Sequence, residues 1–194
     1  MFCTANQPHR QMKSFRYLIF FILVSFISFF LLGWYSGLFA KTSVEIRQTG
    51  PYVIAYVDVK GEYSETANIQ DSLNIRLWED GIENYQTFGM FYDDPKNTPV
   101  ENLRSKVGCV IHPDYISKIK KLTSKYRVLT IEKQTSAVVE LSYKNAFSVY
   151  AGIYKAYPAL KDYCTENGYI ANPIIEIAEK PNKLFFIMPL TAKK

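Results

Sequence analysis

A chain of 194 residues with 48% hydrophobic and 21% charged side chains, thirteen Phe and fifteen Tyr, has ample apolar surface to bury, which excludes a disordered chain. Its net charge of +5 comes from basic residues spread along the sequence, so it lacks the electrostatic footprint of a nucleic-acid-binding protein. Cys3, Cys109 and Cys164 form neither a CxxC pair nor a disulfide framework, which excludes a small stapled scaffold and reads as buried thiols.

Residues 1–16 are a basic flank with Arg10, Lys13 and Arg16. Residues 17–40 carry no charge and are rich in Phe, Leu and Ile, long enough as a helix to cross about 30 Å of hydrocarbon. Trp34 and Tyr35 stand near the far end of this run, where aromatic rings favour the headgroup level, and Lys41 closes it. The run exceeds the apolar core of a cleavable signal, and Leu38-Phe39-Ala40 lacks the small residue expected three positions before a cut. A retained single-pass transmembrane helix is therefore expected, with the lipid bilayer as partner. The basic residues before the span, set against Lys41, Glu45 and Arg47 after it, put the N-terminus in the cytoplasm and residues 42–194 outside.

Past the span, Val44-Glu45-Ile46-Arg47 alternates, Gly50-Pro51 supplies a turn and residues 52–59 are β-rich, the pattern of a hairpin. Ser64 is placed to cap a helix in which Ile69, Leu73 and Leu77 recur every fourth residue; Trp78 closes it and Gly81 ends it. Residues 85–92 form a strand ended by Asp93-Asp94-Pro95, read as turn chemistry because no His or third acid accompanies the pair. Residues 107–111 are another strand, and Pro113-Asp114 opens a helix with Ile116, Ile119 and Leu122 inward. Lys118, Lys120, Lys121, Lys125 and Arg127 fall on its other side, as a solvated face or one turned to acidic headgroups. Cys109 and His112 have the spacing of half a zinc site but no second pair; no metal or other cofactor is expected.

The second half then repeats the first at a period of about 85 residues. Ile131-Glu132-Lys133-Gln134 followed by Ala137-Val138-Val139-Glu140 parallels Ile46-Arg47-Gln48-Thr49 followed by Tyr52-Val53-Ile54-Ala55. A helix follows each, the second over residues 147–167 with Phe147, Tyr150, Ala151 and Tyr154 as its apolar stripe, Pro158 restarting it and Asn167-Gly168 ending it. Strands over 174–178 and 184–188 match those of the first half, with Met90 aligned to Glu176. The expected fold is α+β: two strand-helix-strand-strand units, residues 44–111 and 129–188, paired about a pseudo-twofold axis with a groove between them, preceded by one transmembrane helix. Glu176 is the odd residue of its strand. Ile175 and Ile177 point to one face, while Ile174, Glu176 and Ala178 point to the other. The acid is either a solvated strand residue or the floor of a ligand cleft.

These residues together resemble the GyrI-like, or AraC effector-binding, family, which is built from such a duplicated unit. The resemblance spans residues 44–190. It rests on Val57-Asp58-Val59-Lys60-Gly61-Glu62-Tyr63, on Phe88-Gly89-Met90-Phe91-Tyr92-Asp93-Asp94-Pro95, on Leu103-Arg104-Ser105-Lys106-Val107-Gly108 and on Ile175-Glu176-Ile177. Tyr35-Ser36-Gly37-Leu38 after the span, Gly61-Glu62-Tyr63-Ser64-Glu65-Thr66 and Tyr157-Pro158-Ala159-Leu160-Lys161-Asp162-Tyr163 are similar to a membrane-anchored subgroup that includes an ER-phagy receptor. That receptor acts through a long acidic tail, whereas this chain stops at Lys194, so tail-borne receptor activity is not expected. The receptor's domain is cytosolic, opposite to the side that the flanking charges favour here. In ligand-binding members the acid of this strand meets cationic or polar ligands among aromatic rings. Glu176 matches that acid, while Ala178 stands where the family has a tyrosine.

The resemblance implies a membrane-tethered domain that senses or sequesters an aromatic or cationic small molecule. Glu176 would be its charged contact and Tyr63, Trp78, Tyr92 and Tyr143 its walls. Two alternatives stand beside it: an adaptor that has lost its ligand and shows a surface to a protein or bilayer, and a hydrolase of strained electrophiles with Glu176 as base. With no Ser-His-Asp set, GxSxG elbow, phosphate loop or metal cluster in the sequence, and no helix-turn-helix, an enzyme and a nucleic-acid partner are not expected.

Overall fold

The computed structural model describes residues 8–35, 42–83, 86–121, 123–144, 146–171, 173–179 and 182–193. The chain divides into two units. The described residues of the first form one helix, α1 (Pro8–Tyr35). Its stretch Phe15–Tyr35 has a mean hydropathy of 2.4, long and apolar enough to cross a membrane. The helix thus begins before the expected span, and residues 36–40 of that span lie outside the described residues.

The second unit holds one continuous antiparallel sheet of eight strands with helices on one face. Its main strands are β1 (Glu45–Thr49), β2 (Tyr52–Lys60), β3 (Gln86–Phe91), β4 (Arg104–Val110), β5 (Arg127–Ile131) and β6 (Gln134–Ser142). A two-residue β7 (Tyr169–Ile170) precedes β8 (Ile174–Glu179) and β9 (Lys183–Pro189), and pairs with β10 (Thr191–Ala192) in a separate ribbon. The helices are α2 (Thr66–Glu79), the short α3 (Ile116–Lys121) and α4 (Ala146–Glu166). The sheet order is β1-β6-β9-β8-β3-β4-β2-β5. Each half supplies a matching set of four strands, and β3 and β8 meet at the centre.

The first strand of each half is exchanged. The expected hairpin between β1 and β2 does not form: β1 pairs with β6, and β5 pairs with β2. The two crossing connections pass close to one another, since a Cβ on Gly50 would meet the Glu132 carbonyl oxygen at 3.1 Å. Gly50 has a φ of 81°, a value that a side chain opposes and glycine tolerates. The exchanged β1 is held by a buried Thr49–Ser136 hydroxyl pair at 2.8 Å.

Alternation sorts the core into two layers. Ala55, Cys109, Leu73 and Leu77 pack beneath α2, while Ala137, Phe186, Ala156 and Leu160 pack beneath α4. Ile54, Phe88, Val138, Ile175 and Ile187 line the opposite face of the same sheet. Cys109 and Cys164 are buried free thiols, as expected. Phe88 and Phe186 are fully buried, each worth about 1.5–3 kcal/mol in area terms.

Several local expectations change. The register pairs Val107 with Gly89 and its repeat counterpart Phe186 with Glu176. The equivalent of Glu176 is therefore Gly89, not Met90, a one-residue slip that moves the position to the other face. Ser64 lies in a one-turn helix (Tyr63–Glu65) ahead of α2, and Thr66 bonds the Tyr63 carbonyl at 2.7 Å. Pro158 sits inside a continuous α4, on its exposed side, where the carbonyl that it leaves unbonded meets water. The predicted stripe of α4 is turned outward: Phe147, Tyr150 and Tyr154 are exposed, and of the four only Ala151 is buried. The small or bulky residues Ala156, Leu160 and Cys164 face the sheet instead, because α4 must pass over Phe186 with only Gly152 as clearance. A Cβ at Gly152 would sit 2.7 Å from that ring. Asp93 and Asp94 are turn residues as expected: Lys96 N–H bonds Asp94 at 3.0 Å, and Lys161 on α4 and Arg104 on β4 pair with the two acids. Ile116 and Ile119 face inward; Leu122 and Tyr85 lie outside the described residues. The expected single basic face does not form, because α3 ends at Lys121: Lys118 bonds the Gly81 carbonyl, Lys125 beyond the helix pairs with Asp80, and Arg127 opens β5 and pairs with Asp58 on the helix-free face.

A Cβ on Gly108 would lie 1.9 Å from the Ala55 carbonyl oxygen, whereas one on Gly168, with φ +73°, meets nothing within 4 Å. Gly108→Ala is expected to cost about 3 kcal/mol or more through backbone displacement. Gly168→Ala should cost only the left-handed strain of about 1–2 kcal/mol. Urea denaturation of both variants checks the order.

Candidate functional site

The sheet's central seam forms the floor of a groove between α2 and α4. Gly89 of β3 lies opposite Glu176 of β8, and Thr87 opposite Ala178. These four positions point to the helix side, and two of them have little or no side chain. The groove encloses about 490 Å³, within the range of small-molecule sites. Tyr63, Thr66, Ala67 and Gln70 line one wall, and Tyr143, Val149, Tyr150 and Ile153 the other. Both halves of the duplication therefore contribute to it.

The walls are held from behind. Tyr63 donates to the Arg104 carbonyl at 3.0 Å, and its ring meets Phe91 edge-on at 4.9 Å. Phe91 in turn occupies the space over Gly89, where a Cβ would approach it to 2.7 Å. Gln70 donates to the Phe88 carbonyl at 2.7 Å, tying α2 to the floor.

Glu176 differs from the other perturbed acids of the domain. Asp58, Asp80, Asp93, Asp94 and Glu140 each pair with Lys or Arg, which holds their carboxyls below the usual range. Among the described residues no Lys or Arg pairs with Glu176. Its Oε1 accepts a hydrogen bond from Tyr157 Oη at 2.7 Å. Desolvation pushes its pKa up to about 7, opposed by that bond. Burial and the neighbouring carboxylate raise the Tyr157 hydroxyl, which stays protonated as the donor. Tyr157 stands edge-on to Phe186 at 6.0 Å in the core under α4.

Of the residues expected at the site, Glu176, Tyr63 and Tyr143 come together in this groove. Trp78 does not: it is 69% exposed at the C-terminal end of α2, one position from the buried Leu77 and so turned off the core. Tyr92 does not either. It lines a separate recess with Asp58, Arg104 and Lys106, because β3 ends at Phe91 and the alternation puts its side chain on the opposite face. Gln70, Tyr150 and Tyr157 were not anticipated. Tyr157 precedes Pro158 in the 157–163 motif, but its distance from Glu176 is a tertiary fact. Ala178 lies on the floor, leaving room there. Cys109 and His112 belong to no cluster of three or more His, Cys, Asp or Glu among the described residues.

Fold and groove together define a small-molecule-binding domain made of a duplicated α+β unit. The chain belongs to the GyrI-like family: the model of the GyrI-like small molecule binding domain matches residues 42–182. Testis-expressed protein 264 homolog of Mus musculus is 25% identical over 167 residues, 80% of this chain and 51% of that protein. The chain thus spans about half the length of this relative. The EcmrR C-terminal domain superposes with a TM-score of 0.56 at 12% identity, covering 78% of this chain and 99% of that one. SAV2435, solved with tetraphenylphosphonium, gives 0.55 at 11% identity, covering 77% and 94%. At these identities the structural likenesses establish the fold.

Because the folded state raises the Glu176 pKa above its ordinary 4.5, the native protein holds more protons than the unfolded chain between these values. The Glu176 contribution to stability is then fully present below about pH 4.5 and is lost as pH rises through about 7, about 3 kcal/mol in all. Urea titrations across this window should show the decline in the wild type and its absence in Glu176→Gln. Tyr157→Phe removes the bond that favours the carboxylate, so the Glu176 midpoint followed by carbon NMR should move above 7.

Proposed function

We propose that residues 42–194 bind a lipophilic cation in the groove between α2 and α4, with Glu176 as counter-charge, and that residues 17–40 tether the domain to a membrane as a single span. The ligand reading is carried by one observation: a desolvated carboxyl that pairs with no Lys or Arg among the described residues, on the floor of a groove walled by Tyr63, Tyr143 and Tyr150. A soft cation supplies the missing charge, and the rings add about 0.5–2 kcal/mol of cation–π attraction. Tetraphenylphosphonium, bound by SAV2435, has this chemistry: delocalised positive charge, aromatic surface and no hydrogen-bond donor that would need a fixed partner. A tethered domain of this kind senses or sequesters its ligand. A second reading, hydrolysis of a strained electrophile, draws on the near-neutral Glu176, since a general base works best with a pKa close to the operating pH. Recovery of the ligand unchanged after incubation distinguishes binding from turnover. The adaptor reading is favoured by the exposed aromatic residues of α4.

Isothermal titration with tetraphenylphosphonium tests the site. At pH 8, Glu176→Gln should weaken binding at least tenfold, about 1.4 kcal/mol. In the wild type, affinity should rise about tenfold per pH unit up to about 7 and level off above it, because below that pH the cation must displace a proton. Equal affinities for the two forms would remove Glu176 from the site.

The tether rests on the length and composition of Phe15–Tyr35, and Arg10, Lys13 and Arg16 favour a cytoplasmic N-terminus. Full-length protein should stay in the membrane pellet after alkaline carbonate extraction. Its release to the supernatant would exclude the span.

A further inference from the structure

The outward face of α4 is aromatic. Phe147, Tyr150 and Tyr154 are 43%, 68% and 77% exposed, and their spacing of three and four residues puts them on one side of the helix over about 10 Å. Neighbouring positions of α4 bury Ala156 and Leu160 against the sheet, so the core does not require large rings on the far side. α2, on the same face of the sheet, adds Ile75 and Trp78, both exposed and three residues apart. Tyrosine and tryptophan rings in such numbers suit a boundary between water and hydrocarbon.

The path of the chain bears on what covers this face. β1 runs antiparallel to β6, with Glu45 opposite Val138, so the chain reaches β1 from the end of β6 that leads into α4. Val44 packs against the cluster beneath α4. The entry point is thus beside the start of the aromatic stripe. Only residues 36–43 separate α1 from Val44, a reach of about 30 Å at full extension. We propose that α4 docks on the lipid surface through Phe147, Tyr150 and Tyr154. This rests on the reading that α1 spans the membrane. Tyr150 also lines the groove, so docking brings the rim of the groove to the interface and selects ligands that partition there, lipophilic cations among them.

The test uses the full chain in vesicles of phosphatidylcholine and phosphatidylglycerol, with a photoreactive benzophenone analogue of phenylalanine placed singly at positions 26, 127, 150 and 154. Position 26 is within the apolar part of α1. Arg127 is an exposed residue opposite Tyr56, whose side chain lies on the helix-free face. Irradiation followed by mass spectrometry should give lipid adducts at 26, 150 and 154, with those at 150 and 154 at least tenfold above that at 127. Adducts at 26 without an excess at 150 and 154 over 127 would overturn the docking and leave the anchor standing. No adduct at 26 would overturn the anchor and the docking with it. In membranes from cells, protein adducts at 150 and 154 in place of lipid would reassign the face to a protein partner.

Discussion

The reciprocal exchange of first strands is the constraint on which the domain depends. β1 completes the sheet of the second half and β5 that of the first, so neither half has its own full set of strands. An isolated half would expose the edge of β2 or β6, with unpaired backbone groups. Exchange covers both edges and ties the two halves into one sheet. The close passage of Gly50 beside the Glu132 carbonyl is the local cost of letting the two connections cross.

The site follows from that arrangement. Once the halves are locked side by side, β3 and β8 must pair at the middle, and their register sets Gly89 against Glu176. One half contributes an acid and the other an absent side chain at equivalent positions, so the duplication is symmetric in backbone and asymmetric in chemistry. An acid on both strands would set two desolvated carboxylates together, which electrostatics opposes. A single acid opposite a glycine leaves one chargeable point on the floor, with the Phe91 ring filling the space over the glycine. The helices flank this point because each sits over its own half of the sheet, and the gap between them is the groove.

The electrostatics separate structure from site. Asp58 is satisfied by Lys106 and Arg127, and Glu140 by Arg47 and Lys183, at repeat-related places on the helix-free face. These exposed pairs contribute modestly to stability. Glu176 has instead a neutral tyrosine as partner, which orients the carboxylate without cancelling its charge. Among the acids whose pKa is shifted, Glu176 is thus raised by burial while the five paired with Lys or Arg are lowered.

The sequence by itself determined the apolar helix, the duplication and the faces of residues 174–178, because these depend on composition and short periods that local geometry enforces. It also singled out Glu176, whose charge broke an apolar pattern; Tyr63 and Tyr143 entered as candidate walls through the family resemblance. What only the tertiary structure decided depends on long-range pairing. A turn signal at Gly50-Pro51 cannot say whether the next strand folds back or crosses over, since both need the same backbone reversal and differ only in partners far along the chain. Repeat alignment across a strand pair is ambiguous by one residue, which is why Gly89 and not Met90 answers Glu176. Helix faces rich in tyrosine read as core by hydrophobicity, yet α4 turns Tyr150 and Tyr154 outward because the small residues Ala151, Gly152 and Ala156 are what the large Phe186 beneath permits. Trp78 and Tyr92 looked like walls by residue type, but one helical step or one strand step sends each away from Glu176. Tyr157, the residue that holds the acid, becomes visible only when α4 is laid across the sheet.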